Sequence, residues 1–105
     1  MNIIVMDYII TKSLEEAKEA KRNEVSEDKF ILVDFGKLEK KQSMYDDPTR
    51  YGYDFFSNTH CLFNNESLIV CSDDLDHLIR RYDKNNLFPE KTSKIREKYE
   101  KYVNV

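Results

Sequence analysis

Apolar positions recur along this chain with two different periods, and the change of period marks its elements. Leu68-Ile69-Val70-Cys71 is a short continuous apolar run, whereas Leu75, Leu78, Ile79 and Tyr82 recur at i, i+3, i+4 and i+7. The first pattern suits a buried strand, the second one face of an amphipathic helix. Between them stand Ser72, Asp73 and Asp74. Their order predicts Ser72 as the N-cap, its hydroxyl accepting from the first turn, where the helix dipole favours the two acids.

The same reading extends over the rest of the chain. Ile3 to Ile10 is nearly all apolar and β-branched, broken by Asp7 and Tyr8, as in a strand covered on both faces. Ser13 with Glu16 is a capping-box pattern, and Leu14, Ala17 and Ala20 line the narrow face of a helix ending near Asn23 or Val25. Lys29 to Phe35 predicts a second strand ended by Gly36, so a βαβ unit with parallel strands and a right-handed crossover. Lys37 to Tyr45 is compatible with a short helix, Asp46-Asp47-Pro48-Thr49 with a turn, and Tyr51 to Phe56 with a return to extended structure. His60 to Phe63 and Glu66 to Val70 flank Asn64-Asn65, a pair that tolerates the left-handed conformation of a two-residue hairpin turn. After the organising helix, Leu87 and Phe88 are expected to tuck in, and Pro89 to open a last helix with Ile95, Tyr99, Tyr102 and Val103 on one face. The expectation is one domain over residues 1–105. Its fold class is α+β: a two-layer sandwich whose mixed sheet (β-α-β, an irregular stretch, a β-hairpin, then two helices) carries its helices mainly on one face.

Composition changes this picture little. The chain has 105 residues, 40% hydrophobic and 35% charged, and its thirteen Phe and Tyr residues are clustered as in a folded core rather than a disordered chain. No apolar run approaches the length of a membrane span, and Met1 to Asp7 lacks the basic n-region of a signal peptide. A cytoplasmic protein without a membrane partner is the default, which also fits one made inside a bacterium to neutralise something there. The formal charge of −3 hides a gradient: residues 46–83 carry −5 and residues 84–105 carry +3. Overall acidity argues against general nucleic-acid binding, while the basic tail leaves a local contact open. Gly36 and Gly52 are too far apart for a phosphate-cradling loop.

Four constellations could carry chemistry. His60, Cys61, Cys71 and His77 are acceptable zinc ligands, but they lack close knuckle spacing. With Asn64-Asn65 as the turn, Cys61 would face Leu68, leaving Cys71 roughly 10 Å further along the strand. No metal and no cofactor are therefore expected, and two cysteines read as buried reduced thiols rather than a disulfide framework. As neighbours in a strand, His60 and Cys61 point to opposite faces and cannot pair as base and nucleophile. The acids Asp73, Asp74 and Asp76 fit a solvated, capped helix start better than acid–base work, with a patch for a basic partner as the alternative. On the C-terminal helix, basic residues and Tyr99 and Tyr102 fit an ordinary amphipathic face.

The fourth feature is the aromatic stretch of Met44, Tyr45, Arg50, Tyr51, Tyr53, Phe55 and Phe56. Tyr, Met and Arg are enriched at protein interfaces. Tyr45, Arg50 and Tyr51 are read as lying outside the predicted strands and harder to bury, which favours exposure, although part of this stretch must serve the core. The resulting expectation is a small non-catalytic protein-binding domain that inhibits or neutralises its partner, as immunity proteins, antitoxins and phage-encoded inhibitors do. Tyr45, Arg50, Tyr51 and Tyr53 would be buried against the partner, while Asp46, Asp47, Asp73, Asp74 and Asp76 steer it by a basic surface. Three further possibilities stand beside it: a nucleic-acid-binding module using the C-terminal helix, a small hydrolase or nucleotide-processing enzyme using His60, Cys61 or His77, and a homodimer formed through an uncovered helix or sheet edge.

Overall fold

The computed structural model describes residues 8–23, 29–38 and 48–103. Within them the elements are β1 (Tyr8–Thr11), α1 (Leu14–Asn23), β2 (Phe30–Lys37), β3 (Arg50–Asp54), β4 (Thr59–Phe63), β5 (Leu68–Ser72), α2 (Leu75–Tyr82) and α3 (Pro89–Val103). The five strands make one sheet in the order β1-β2-β3-β4-β5, with β1 parallel to β2 and every other pair antiparallel. This is the α+β mixed sheet that the pattern predicts. The start of the first apolar run, residues 39–45 of the proposed short helix and Asp46 and Asp47 of the turn lie outside the described residues, while Lys37, the expected start of that helix, is the last residue of β2 instead.

Local chemistry explains the elements. The Ser13 hydroxyl accepts from the Glu16 N–H at 3.2 Å, and the Glu16 carboxylate accepts from the Lys12 N–H at 3.2 Å, so α1 begins with reciprocal capping. Ala17 is wholly buried against Ile31 and Val33, a close approach that a larger side chain would prevent. Strand β2 does not stop at Gly36, as the sequence suggested. It runs through that glycine at φ 103 as a bulge against β3, and Asp34 Oδ1 accepts from the Gly36 N–H at 2.8 Å.

Register fixes which face each side chain takes. Tyr51 pairs with Leu62, Tyr53 with Val33 and His60, and Leu62 with Val70, so these share a face. Against that face pack Leu78 of α2 and Ile95 of α3, in one cluster with Leu38, Tyr51 and Leu62. The opposite face holds Leu32, Cys61 and Phe63, with Phe30, Leu68 and Cys71 around them. Gly52 lies beneath Phe63: a Cβ there would come within 2.8 Å of the Phe63 ring, so only glycine fits.

Two junctions differ from expectation. The hairpin turn has four residues rather than two, because Asn64 Oδ1 accepts from the N–H groups of both Glu66 (2.8 Å) and Ser67 (2.9 Å). A shift between Leu62 and Phe63 then opposes Cys61 to Cys71 instead of Leu68. At the start of α2 the N-cap is Asp74, whose carboxylate accepts from the Asp76 N–H; Ser72 Oγ accepts from the Asp74 N–H one step earlier. The carboxylate competes better than the hydroxyl for the first turn.

Candidate functional site

Two of the nine residues expected to form the docking surface are interior. Tyr51 has no exposed area and Tyr53 is buried, because β3 is the central strand and alternation turns both rings under the helices. Exposure of these two tyrosines is thus corrected. Even the polar end of Tyr51 is satisfied within the fold, its hydroxyl lying 2.6 Å from His60 Nδ1. The Tyr53 hydroxyl donates to Asn58 Oδ1 at 3.1 Å. Arg50 is half-buried, and its Nε–H reaches both carboxylate oxygens of Asp34, at 2.9 and 3.2 Å. Tyr45, Asp46 and Asp47 lie outside the described residues. Asp73, Asp74 and Asp76 are exposed, but Asp74 caps α2 and Asp76 is bonded to Arg96 of α3.

The histidines and cysteines separate onto different surfaces. Burial lowers the His60 pKa, with Asp74 and Asp73 opposing the shift, and burial drives the Tyr51 hydroxyl far upward. The Tyr51 hydroxyl and the His60 Nδ1 thus share one hydrogen bond inside the core. Ser72 lies across from His60 on β5, and its Oγ is 3.3 Å from Nδ1 of the exposed His77. Cys61 faces the other side of the sheet from His60, opposite Cys71. The register on which the metal argument rested is corrected, since these two cysteines are neighbours. Among the described residues no group of three or more His, Cys, Asp and Glu is arranged to hold a metal ion. On α3 the tyrosines turn inward and four of the bases have intramolecular partners: Lys98 Nζ donates to the Phe35 carbonyl, Lys94 pairs with Glu97, Arg96 with Asp76, and Lys91 lies over the Phe88 ring.

The surface feature that the hydrophobic pattern misplaced is the loop between α2 and α3. Leu87 and Phe88 do not tuck in: Leu87 is 67% exposed and Phe88 44%. They are nonetheless held firmly. Asp83, itself buried, ends α2 by donating its N–H to the Ile79 carbonyl at 2.8 Å. Its two carboxylate oxygens accept from the N–H groups of Leu87, at 2.7 Å, and Phe88, at 2.6 Å. The Asp83 carbonyl accepts from the Asn86 N–H at 3.2 Å, with Asn86 in the left-handed region at φ 55. Pro89 then opens α3 at a position that needs no N–H. One carboxylate thus braces a tight turn whose two apolar side chains face water. Arg80, Arg81 and Lys84 stand exposed in the residues that lead into it, and the Lys91 ammonium is 4.9 Å from the centre of the Phe88 ring. The sequence signal for this loop was an aspartate four and five residues before two amides that precede a proline.

Compared with family models, with curated proteins and with solved structures, the chain has no significant match. Among the described residues no helix is long and apolar enough to cross a membrane.

Proposed function

We propose that this chain is a protein-binding domain that acts by occupying a surface of its partner, as inhibitors and neutralising proteins do. The observation that carries the reading is a large apolar side chain, Leu87, held in water by a buried carboxylate. A braced apolar knob loses little conformational freedom on docking, which is how short loops become binding anchors. The bases Arg80, Arg81, Lys84 and Lys91, which lie on either side of it in the chain, favour a partner with an apolar cleft and an acidic rim. The exposed Asp73 and Asp74 lie at the other end of α2, roughly 12 Å away at the helical rise. An interface of ordinary size spans both, so these acids keep their steering role toward a basic region beyond the cleft.

Photo-cross-linking in an extract of the native host tests this reading. A photoreactive residue at position 87 is expected to capture one protein that the same residue at the exposed position 69 on β5 does not. Capture of the same set from both positions, or of nothing from position 87, overturns it.

A further inference from the structure

We propose that Cys71 and Cys61 form a reactive dithiol which a low-molecular-weight disulfide such as oxidised glutathione converts to an intramolecular disulfide, Cys71 attacking first and Cys61 resolving. The two residues are directly opposed on β5 and β4, and their sulfurs are 3.0 Å apart. Opposed residues of an antiparallel pair have Cα separations inside the range that disulfides accept. Closing the bond to about 2.05 Å requires a movement of roughly 1 Å. Division of labour follows from position. Cys61 is wholly buried in an inner strand, beside Leu32 and Phe63. Cys71 is half-buried on β5, the last strand of the sheet, and Arg81 donates to its carbonyl oxygen at 3.2 Å. The hydrogen bond with Cys61 holds the Cys71 thiol below its usual range, and Arg81 adds to this while burial opposes it. The same bond and burial push the Cys61 thiol up. The first thiolate therefore forms at Cys71, the less buried of the two and the one on the outer strand.

The Cys71 thiolate attacks one sulfur of the reagent, a Cys71–glutathione bond forms, and the other half leaves as a thiolate that takes up a proton. Cys61 then loses its proton and attacks Cys71 Sγ, expelling the second half as thiol. The two cysteines lose two electrons and two protons, and the reagent's disulfide is reduced to two thiols.

Intact-mass analysis of the full chain incubated natively with oxidised glutathione tests this. Wild type is expected to lose two hydrogens and retain no adduct. Cys61→Ser should stop as a glutathione adduct on Cys71, and Cys71→Ser should not react. Because Cys61 is buried, wild type alone supplies a second measurement. At a fixed glutathione ratio, disulfide over dithiol should be at least about a hundredfold higher for the native chain than for the urea-unfolded one. A native chain that stays reduced, keeps a stable adduct, or shows no such excess overturns the proposal.

Discussion

Removing the Asp83 carboxylate should destabilise the protein and loosen the α2–α3 loop in proportion to the bonds lost. Asp83 is buried, and each of its oxygens takes one amide, at 2.7 and 2.6 Å. A hydrogen bond to an ionised group contributes about 1.5–3 kcal/mol. Leu87 and Phe88 are exposed enough that water reaches part of their freed amides, so the lower end of that range applies to each. Asp83→Ala is therefore expected to cost about 2–4 kcal/mol. Asp83→Asn should cost about half as much, since one amide oxygen still accepts and the NH2 group does not.

The chain contains no Trp, so urea unfolding is best followed by far-UV circular dichroism. At a typical urea dependence, the expected loss lowers the midpoint by roughly 1–2 M for the alanine variant. Native-state hydrogen exchange supplies the local readout: the Leu87 and Phe88 amides should lose protection in Asp83→Ala before the sheet amides do. Cross-linking from position 87 should also weaken, although both apolar side chains are untouched, because the knob is no longer pre-organised. A variant within about 0.5 kcal/mol of wild type, with unchanged exchange at both amides, would refute the bracing role and with it the physical basis of the proposed docking.

Two further outcomes follow from the interior. Tyr51→Ala removes a fully buried ring from the central strand and should cost about 3–5 kcal/mol in the same urea assay, against near-neutrality for a residue facing solvent. His60 gives a pH dependence of definite sign: its folded pKa is lowered by burial, so near pH 6.5 the unfolded chain takes up a proton that the native one refuses. The stability carried by neutral His60 is complete above that pH and is lost as pH falls toward the lower folded pKa, by at most about 1.4 kcal/mol per pH unit. His60→Gln, which keeps an acceptor for the Tyr51 hydroxyl, should flatten urea stability between about pH 6.5 and 5.5; an unchanged slope there would show that His60 protonates as freely folded as unfolded.

The parts of the fold legible in the sequence are those decided by short-range chemistry. Ser13 and Glu16 start α1, Pro89 starts α3, and the change of period at Ser72–Leu75 marks the passage from β5 to α2. The parallel pairing of β1 with β2 follows from the length of the intervening helix. What was not legible is register and strand order. Asn64 supports a two-residue turn by propensity, yet its side chain takes two amides and builds a four-residue one. That choice, with the bulge after it, brings Cys61 and Cys71 together and undoes the spacing argument against their contact. Likewise nothing local told that β3 would become the middle strand, and the middle strand is what seals Tyr51 and Tyr53.

The exchange of roles between Tyr51 and Leu87 has a common cause. Hydrophobic pattern orders residues by the gain from burial, about 1.5–3 kcal/mol for a Leu side chain. Turning Leu87 inward would reorient the loop and break the amide bonds to Asp83, and those contribute about as much or more. The two terms are close enough that composition cannot rank them, and in this loop the carboxylate prevails. For Tyr51 the polar term points the other way, because the hydroxyl finds His60 Nδ1 within the core and burial leaves no donor unmet. Exposure of an apolar side chain here thus depends on where the nearest buried acceptor lies. Asp83 offers its buried acceptors to the backbone amides of Leu87 and Phe88 at the end of α2, whereas His60 offers Nδ1 to the side chain of Tyr51 within the core.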